Sequence, residues 1–344
     1  MKEKRENIMK KKGCSVLICI CMCLALLAGC ASDQPKEESS KADSKESQKE
    51  DTKPQEAIKV GALKGPTAMG MAKLLDDEKY EFTLAASPDE ILPAIIQGKV
   101  DIAAVPANLA SVLYQKTQKE ISVVAINTLG VLYIVENGDT VHSIEDLKGK
   151  TIYASGKGAT PEYALNTVLT ANGIDPASDV TIEYKSEHAE VVAALAQDTE
   201  AVGMIPQPFV TTALMKNDQM RVALDLNDLW EASQTDGSSL VTGVAVVRNE
   251  YLDGHQEEVN AFLDAYQDSV EYVNSDTAGA AEIIGKHDII AQEVAAKAIP
   301  ECSITFIEGS EMKTMLSGYL NTLNAQNPEI IGGSLPGDDF YYER

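Results

Sequence analysis

The same order of strand and helix patterns occurs twice in this chain, and this repetition constrains the fold more than any other feature. Three apolar runs, "IKVGAL", "YEFTLAAS" and "KVDIAAVP", each precede a segment with apolar residues at helical spacing. The order returns after Lys150 with "TIYAS", "VTIEYKS" and "AVGMIP". Alternating strands and helices of this length require right-handed crossovers between parallel strands. The sequence therefore predicts two α/β lobes of similar construction.

The two halves also match residue by residue at several positions. Glu90 and Val105-Pro106 in the first half correspond to Glu190 and Ile205-Pro206 in the second. The turn after the first strand of each half contains Lys-Gly-x-Thr, and the matching residues are Lys64, Gly65, Thr67, Lys157, Gly158 and Thr160. Each turn follows a strand pattern and begins a helix pattern. We therefore expect the two turns to occupy equivalent places in the two lobes.

Two long β-rich stretches join the halves. They are "ISVVAINTLGVLYIVENGD" and "SSLVTGVAVVRNEYL", and they predict two crossings between the lobes. The C-terminal segment has helical spacing, with Phe262 and Tyr266 on one face. Because two crossings return the chain to its starting lobe, we expect an α/β fold with residues 57–140 and 240–344 in the first lobe and residues 141–239 in the second.

The first 29 residues have the pattern of a secretory signal. The basic segment "MKEKRENIMKKKG" precedes the apolar run "CSVLICICMCLALLAGC", which is too short for a spanning helix. The run ends in Leu-Ala-Gly-Cys30, which resembles the lipobox of bacterial lipoproteins, in which the cysteine is acylated. An ordinary N-terminal anchor with an incidental cysteine is the alternative. Residues 30–56 contain no aromatic or branched aliphatic residue, so a disordered tether is expected after the lipidated cysteine.

Charge and cysteine content exclude several classes of function. Residues 1–29 carry a net charge of +4, so the rest of the chain carries −28 and repels nucleic acids and anionic lipids. Cys302 is the only cysteine after Cys30, which excludes a disulfide framework and a cysteine metal cluster. We expect it to be a packed core residue. The four histidines, including His188 at a helix start, show no catalytic or metal-binding spacing, and we interpret them as surface or capping residues.

The two Lys-Gly-x-Thr turns lie at the carboxyl ends of predicted strands, where open α/β sheets bind ligands. Glycine lets backbone N–H groups approach a ligand, threonine supplies a hydroxyl, and a helix N terminus carries a partial positive charge. These groups favour an acceptor-rich ligand group such as a carboxylate, sulfonate or phosphate. The alternative is structural: glycine makes the turn, threonine caps the helix and lysine is solvated.

Several segments together resemble the substrate-binding lipoproteins of bacterial ABC importers, within the nitrate/sulfonate/taurine and thiamine-precursor group. They are "ALKGPTAMG", "GKVDIAAVPANLA", "SIEDLKGKTIYASGKGATPEYALNTVL", "MIPQPFVTTAL" and "DDFYY". The resemblance implies the type II periplasmic-binding-protein fold, in which two α/β lobes on two hinge crossings close over a small molecule. It also implies a permease with its ATPase as partner. Many relatives have Pro-Glu-Pro where this chain has Pro206-Gln207-Pro208, so their glutamate is replaced here.

The turn chemistry and the resemblance nominate ligand-binding residues from both lobes. The set is Lys64, Gly65, Thr67, Asn108, Asn127, Thr128, Lys157, Gly158, Thr160, Gln207 and Phe209. Asn108 has the alternative role of a helix N-cap, and the aromatic residues Tyr133 and Trp230 belong either to the site or to the core. Because no arginine lies between Arg5 and Arg221, neither turn offers a guanidinium clamp for a sulfonate. We expect a small organic ligand with one acceptor-rich group.

The expected function is therefore capture of this ligand by an extracytoplasmic, lipid-anchored monomer and its delivery to an ABC permease. A lipoprotein that senses a ligand or acts as a scaffold is the alternative. Some relatives of the fold are enzymes, among them pyrimidine synthases with a cysteine-rich segment and a sacrificed histidine. Since the mature part of this chain has no such segment, neither catalysis nor a cofactor is expected.

Overall fold

Two mixed β-sheets organise the part of the chain that the structure describes, which is residues 56–198 and 200–344 of a computed structural model. The expected signal segment, Cys30 and almost all of the expected tether lie outside these residues. Within them, every helix is either too short or too polar to span a bilayer.

The first sheet has six strands. In spatial order they are β11 (Ile304–Ile307), β4 (Ile121–Thr128), β10 (Gly243–Arg248), β3 (Ile102–Pro106), β1 (Ile58–Leu63) and β2 (Tyr80–Ala85). Strand β1 is parallel to β2 and β3, whereas β10 is antiparallel to β3 and β4. Every residue of β3 before Pro106 is buried, as expected for a central strand that is covered on both faces.

The second sheet has five strands with the same arrangement at its centre. In spatial order they are β7 (Thr181–Lys185), β6 (Thr151–Ser155), β8 (Val202–Pro206), β5 (Leu132–Asn137) and β9 (Met220–Asp225). Strand β6 is parallel to β7 and β8, and β5 is antiparallel to β8 and β9. The predicted repetition of an α/β unit is therefore confirmed.

Helices follow the parallel strands of both sheets. In the first half they are α1 (Pro66–Met69), α2 (Pro88–Ile96) and α3 (Ala107–Lys116). In the second half they are α4 (Thr160–Ala171), α5 (His188–Leu195), α6 (Phe209–Lys216) and α7 (Leu226–Ser233). The C-terminal helices are α8 (Asn249–Gly254), α9 (Gln256–Ser275), α10 (Thr277–Lys286), α11 (Gln292–Ala298) and α12 (Gly309–Gln326).

The structure corrects two details of the predicted architecture. Neither sheet is wholly parallel. The first strand after each crossing joins its sheet in the antiparallel direction: β5 pairs with β8, and β10 pairs with β3. The expected first lobe extended to residue 140, but β5 is hydrogen-bonded in the second sheet. Its buried run "LYIVE" pairs with β8 and β9, so the chain has already crossed before Leu132.

The C-terminal helices cover the first sheet and also reach the second half. Phe262 and Tyr266 on α9 are fully buried, and burial of such a side chain stabilises the fold by about 1.5–3 kcal/mol. Cys302 is a buried free thiol, as expected. Helix α12 contacts both β4 and α4, and just after it the Nδ2 atom of Asn327 donates a 2.7 Å hydrogen bond to the Tyr163 hydroxyl of α4. The C-terminal segment therefore joins the two halves.

Candidate functional site

A cavity of about 340 Å³ lies where carboxyl ends of strands from the two sheets meet. Its wall from the first half consists of Pro88, Pro106, Asn108 and Leu109, together with Thr242 just before β10. The opposite wall consists of Val131, Leu132, Ala159, Thr160, Pro161, His188 and Pro206. Carboxyl ends of strands are the usual ligand-binding edge of α/β sheets. The cavity is therefore the candidate ligand site.

The two walls use equivalent positions of the repeated unit. Pro106 ends β3 and Pro206 ends β8, and both line the cavity. Pro88 begins α2 and His188 begins α5, and these two residues also occupy matching places. At this pair of matching positions one wall carries an imidazole and the other a pyrrolidine ring.

The lining side chains are mostly apolar. Proline, leucine, valine and alanine supply eight of the twelve lining residues, and none of the twelve carries a carboxylate, an ammonium or a guanidinium group. The polar members are Asn108, Thr160, His188 and Thr242. Apolar walls with a few placed polar groups are typical of small-molecule sites.

His188 is held in the cavity wall by contacts on two sides. Its Nδ1 atom lies 2.5 Å from the Oγ atom of Ser155, the last residue of β6. The ring centroid lies 4.6 Å from that of Phe209 at the start of α6. Burial lowers the pKa of His188 below its usual value of 6.5, so the imidazole is neutral at neutral pH. Since Ser155 engages Nδ1, Nε2 is the ring nitrogen left for a ligand.

Asn108 lies in the first turn of α3 but does not cap it. The residue at the N-cap position is Pro106, and the Nδ2 atom of Asn108 donates a 3.2 Å hydrogen bond to the Ile330 carbonyl oxygen. This bond orients the amide, whose Oδ1 atom is then an acceptor at the cavity wall.

The first Lys-Gly-x-Thr turn lies outside the cavity. Lys64 is exposed, and Gly65, the N-cap of α1, has φ 130°, a backbone conformation that favours glycine. Thr67 is buried, and its hydroxyl donates a 3.0 Å hydrogen bond to the Leu63 carbonyl oxygen. Thr67 is not an N-cap, because Gly65 holds that position.

The second Lys-Gly-x-Thr turn contributes only its threonine to the cavity. The Lys157 ammonium lies 5.7 Å from the centroid of the Tyr184 ring, outside the lining set. The Gly158 N–H donates a 2.5 Å hydrogen bond to Glu162 Oε2. Thr160 is the first residue of α4, and Ala159 holds the N-cap position. The two turns match in sequence and in place along the chain, but they differ in their relation to the cavity.

The remaining nominated residues lie around the cavity without lining it. Asn127 and Thr128 are buried at the end of β4, where the Thr128 hydroxyl donates to Asn127 Oδ1 at 3.0 Å. Gln207 is buried, and its Oε1 atom accepts hydrogen bonds from the N–H and hydroxyl of Thr211 at 3.2 and 2.8 Å. Phe209 is 41% exposed and contacts His188.

Neither of the two aromatic candidates lines the cavity. Trp230 is fully buried, with its ring centroid 5.7 Å from that of Tyr319. The Tyr133 hydroxyl donates a 2.8 Å hydrogen bond to the Glu301 carbonyl oxygen. Both are therefore packing residues in this structure.

Most of the wall was not identified from the sequence. The Pro106 and Pro206 turns were assigned to the correct edge of their lobes, but their own rings were not nominated. The sequence favours a surface or capping role for His188, and this interpretation is wrong: the side chain is half-buried and lines the cavity. The register that pairs Glu90 with Glu190 also pairs Pro88 with His188, and this is the signal that could have revealed it.

A two-sheet α/β fold with a cavity between the facing strand ends is the architecture expected of a periplasmic substrate-binding protein. The chain belongs to the family described as "ABC transporter, phosphonate, periplasmic substrate-binding protein", whose sequence profile matches residues 64–295. It is thus the substrate-binding component of an ABC importer, and the resemblance seen in the sequence is confirmed. No curated protein matches the sequence.

Several solved structures have a similar fold. An ABC transporter protein from Parabacteroides distasonis is 26% identical, with a TM-score of 0.71 over 84% of this chain and 99% of that one. The periplasmic aliphatic sulphonate binding protein SsuA from Escherichia coli is 18% identical, with a TM-score of 0.65 over 83% and 92%. The alkanesulfonate-binding protein SsuA from Xanthomonas axonopodis pv. citri, bound to MOPS, is 18% identical, with a TM-score of 0.57 over 78% and 93%. The expected two-lobed α/β fold is therefore confirmed.

Proposed function

We propose that this protein captures a small organic molecule in the cavity between its two sheets and presents it to an ABC permease. The observation that carries the proposal is the cavity itself, whose wall is built from equivalent strand ends of both halves. A ligand that contacts both walls stabilises the arrangement in which they face each other. The permease can then distinguish the loaded protein from the empty one.

We further propose that the protein is a monomer attached to the outer face of the cell membrane through a lipid on Cys30. The support is the Leu-Ala-Gly-Cys sequence and the polar tether that follows it. The polar segment between Cys30 and β1 gives the binding domain the reach to contact the permease.

The proposed role involves no catalysis. Cys302 is buried, and burial raises the pKa of its thiol to about 12, which disfavours the reactive thiolate. The contact between Ser155 and His188 has the residue types of a nucleophile and a base, but Ser155 is buried and does not line the cavity. We assign this serine the positioning of the imidazole.

Filling the cavity tests the proposal. The full-length protein, solubilised in detergent, is screened by thermal shift against small uncharged and anionic organic compounds, and hits are measured by calorimetry. Leu109→Trp, which places an indole at the cavity wall, should abolish binding of the hits while the protein stays folded. Ile96→Trp is the matched control, because Ile96 is 50% exposed and lies outside the lining set. Equal binding by both variants would place the ligand elsewhere.

A further inference from the structure

We propose that the cavity selects an uncharged, largely apolar small molecule and discriminates against phosphonates and sulfonates. This inference rests on the proposed function and specifies the ligand class of the same site. It departs from the phosphonate and sulfonate ligands in the descriptions of the family and of the similar structures. Three independent features of the described residues support it.

The first feature is the absence of a counter-charge in the wall. None of the twelve lining residues carries a fixed positive charge, and the only titratable group among them is the imidazole of His188, which burial keeps neutral at neutral pH. The lysines of the two turns, Lys64 and Lys157, are exposed and do not line the cavity. An anion that entered would lose its hydration without gaining an ion pair, which is costly.

The second feature is that an acidic side chain lies in the first turn of each of three helices that begin at the cavity. Helices α2, α4 and α5 all begin with residues of the wall, and each carries a glutamate in its first turn. Glu90 Oε2 accepts from Ala86 N–H at 2.9 Å, Glu162 Oε2 from Gly158 N–H at 2.5 Å, and Glu190 Oε2 from Ser186 N–H at 2.9 Å. A helix N terminus attracts an anion through free N–H groups and its dipole. Here a glutamate carboxylate lies at each of the three N termini, bonded to the N–H group two residues before the helix, and its negative charge opposes the attraction of the dipole for a ligand anion.

The third feature is that proline residues reduce the number of backbone N–H donors at the wall. Pro88 and Pro161 lie in the first turns of α2 and α4, and Pro106 and Pro206 end β3 and β8. Proline has no N–H group, so four backbone positions at the wall cannot donate to a ligand oxygen. Their rings instead present apolar surface to the cavity.

The polar groups that remain suit an uncharged ligand with a few hydrogen-bonding atoms. Asn108 offers an amide oxygen, His188 offers Nε2, and Thr160 and Thr242 offer hydroxyls. Each of these groups is neutral, and they lie on both walls. The ligand class that fits is a compact apolar body with polar atoms at its edge, of a size set by about 340 Å³.

Matched probes that differ only in the ionised group test the inference on the detergent-solubilised full-length protein. The pairs are benzenesulfonamide with benzenesulfonate, and a neutral phosphonate diester with the corresponding phosphonate. We expect the uncharged member of each pair to bind at least about tenfold more tightly. Only the anion loses the hydration of a charged group without gaining an oppositely charged partner in the wall. Tighter binding of the anions would overturn the ligand class and leave the capture function intact. Failure of both members of every pair to bind would contradict the ligand class, whereas the capture proposal fails only if the thermal-shift screen also gives no hit.

A double charge variant separates electrostatics from shape. Glu162→Gln with Glu190→Gln keeps an oxygen for the Gly158 and Ser186 N–H groups and removes two negative charges near the wall. We expect affinity for benzenesulfonate to rise severalfold, while affinity for benzenesulfonamide changes less. Glu282→Gln, at an exposed position on α10, is the control and should change neither. Equal effects of the variant on both probes would contradict the electrostatic explanation.

Discussion

Ser155 Oγ and His188 Nδ1 lie 2.5 Å apart and connect the last residue of β6 to the first residue of α5. The contact fixes the imidazole at the cavity wall, and burial lowers its pKa. The same site on the other wall, at the first residue of α2, is Pro88. The repeated architecture thus carries one polar, titratable group at a position that is otherwise apolar.

His188 should make stability depend on pH in the range below its usual pKa. Because the folded-state pKa is lowered, the unfolded chain binds more protons at this residue as pH falls through about 6.5, so the free energy of unfolding decreases. Denaturant unfolding of the parent and of His188→Gln should show a smaller decrease for the variant between neutral and mildly acidic pH. An NMR titration of the imidazole should give a midpoint below 6.5. A midpoint above this value would contradict the assigned environment.

The two threonines of the repeated turns should have different roles. Thr160→Val removes a hydroxyl from the cavity wall and should weaken ligand binding by about 1 kcal/mol. Thr67→Val removes a buried hydrogen bond to Leu63 and should lower stability by about 1 kcal/mol without changing affinity. Calorimetry with the tightest-binding uncharged probe and thermal melts of the ligand-free variants measure the two quantities. Similar losses of affinity in both variants would instead indicate that both Lys-Gly-x-Thr turns bind the ligand.

The sequence was sufficient for the architecture because strand and helix periodicity survive in both halves. Glu90 and Glu190 illustrate what such a match means: both accept a hydrogen bond from the N–H four residues earlier, so the register preserves a bond between the first turn of the helix and the segment before it. The sequence was not sufficient for the cavity wall. Thr67 and Thr160 match in sequence, but tertiary packing buries one against Leu63 and exposes the other to the cavity. No local pattern distinguishes these outcomes.

The same limitation explains His188 and β5. The burial of His188 depends on Ser155 and Phe209, which are distant in sequence, so its environment could not be derived from neighbouring residues. The apolar run of β5 suits either sheet, and only its pairing with β8 and β9 assigns it to the second.

Tyr163 should contribute to the contact between the two halves. Its hydroxyl accepts a 2.7 Å hydrogen bond from Asn327, and the following turn holds Asn108 through the Ile330 carbonyl oxygen. Tyr163→Phe removes the first of these bonds, so we expect affinity to fall by about 1 kcal/mol. Small-angle scattering of the ligand-free variant should give a larger radius of gyration than that of the parent. Tyr153→Phe, on the solvent side of the second sheet near Asp198, is the control. An effect of equal size in the control would refute a specific role of Tyr163.

Cys30 should determine the location of the protein in the cell. Cys30→Ala removes the thiol that the Leu-Ala-Gly-Cys sequence presents for acylation, so we expect a protein that is released from membranes or retains its signal segment. Fractionation and intact-mass measurement of both proteins provide the comparison. If the variant is processed and partitions as the parent does, the lipid-anchor proposal fails.

Calorimetric titration of the parent protein with each member of a neutral and anionic probe pair, repeated on Leu109→Trp, tests whether the cavity binds an uncharged ligand. We expect the parent to bind the uncharged probe more tightly than the anion, and the indole in the cavity to abolish this binding. Tighter binding of the anion, or binding of the uncharged probe that is unchanged in Leu109→Trp, would contradict this expectation.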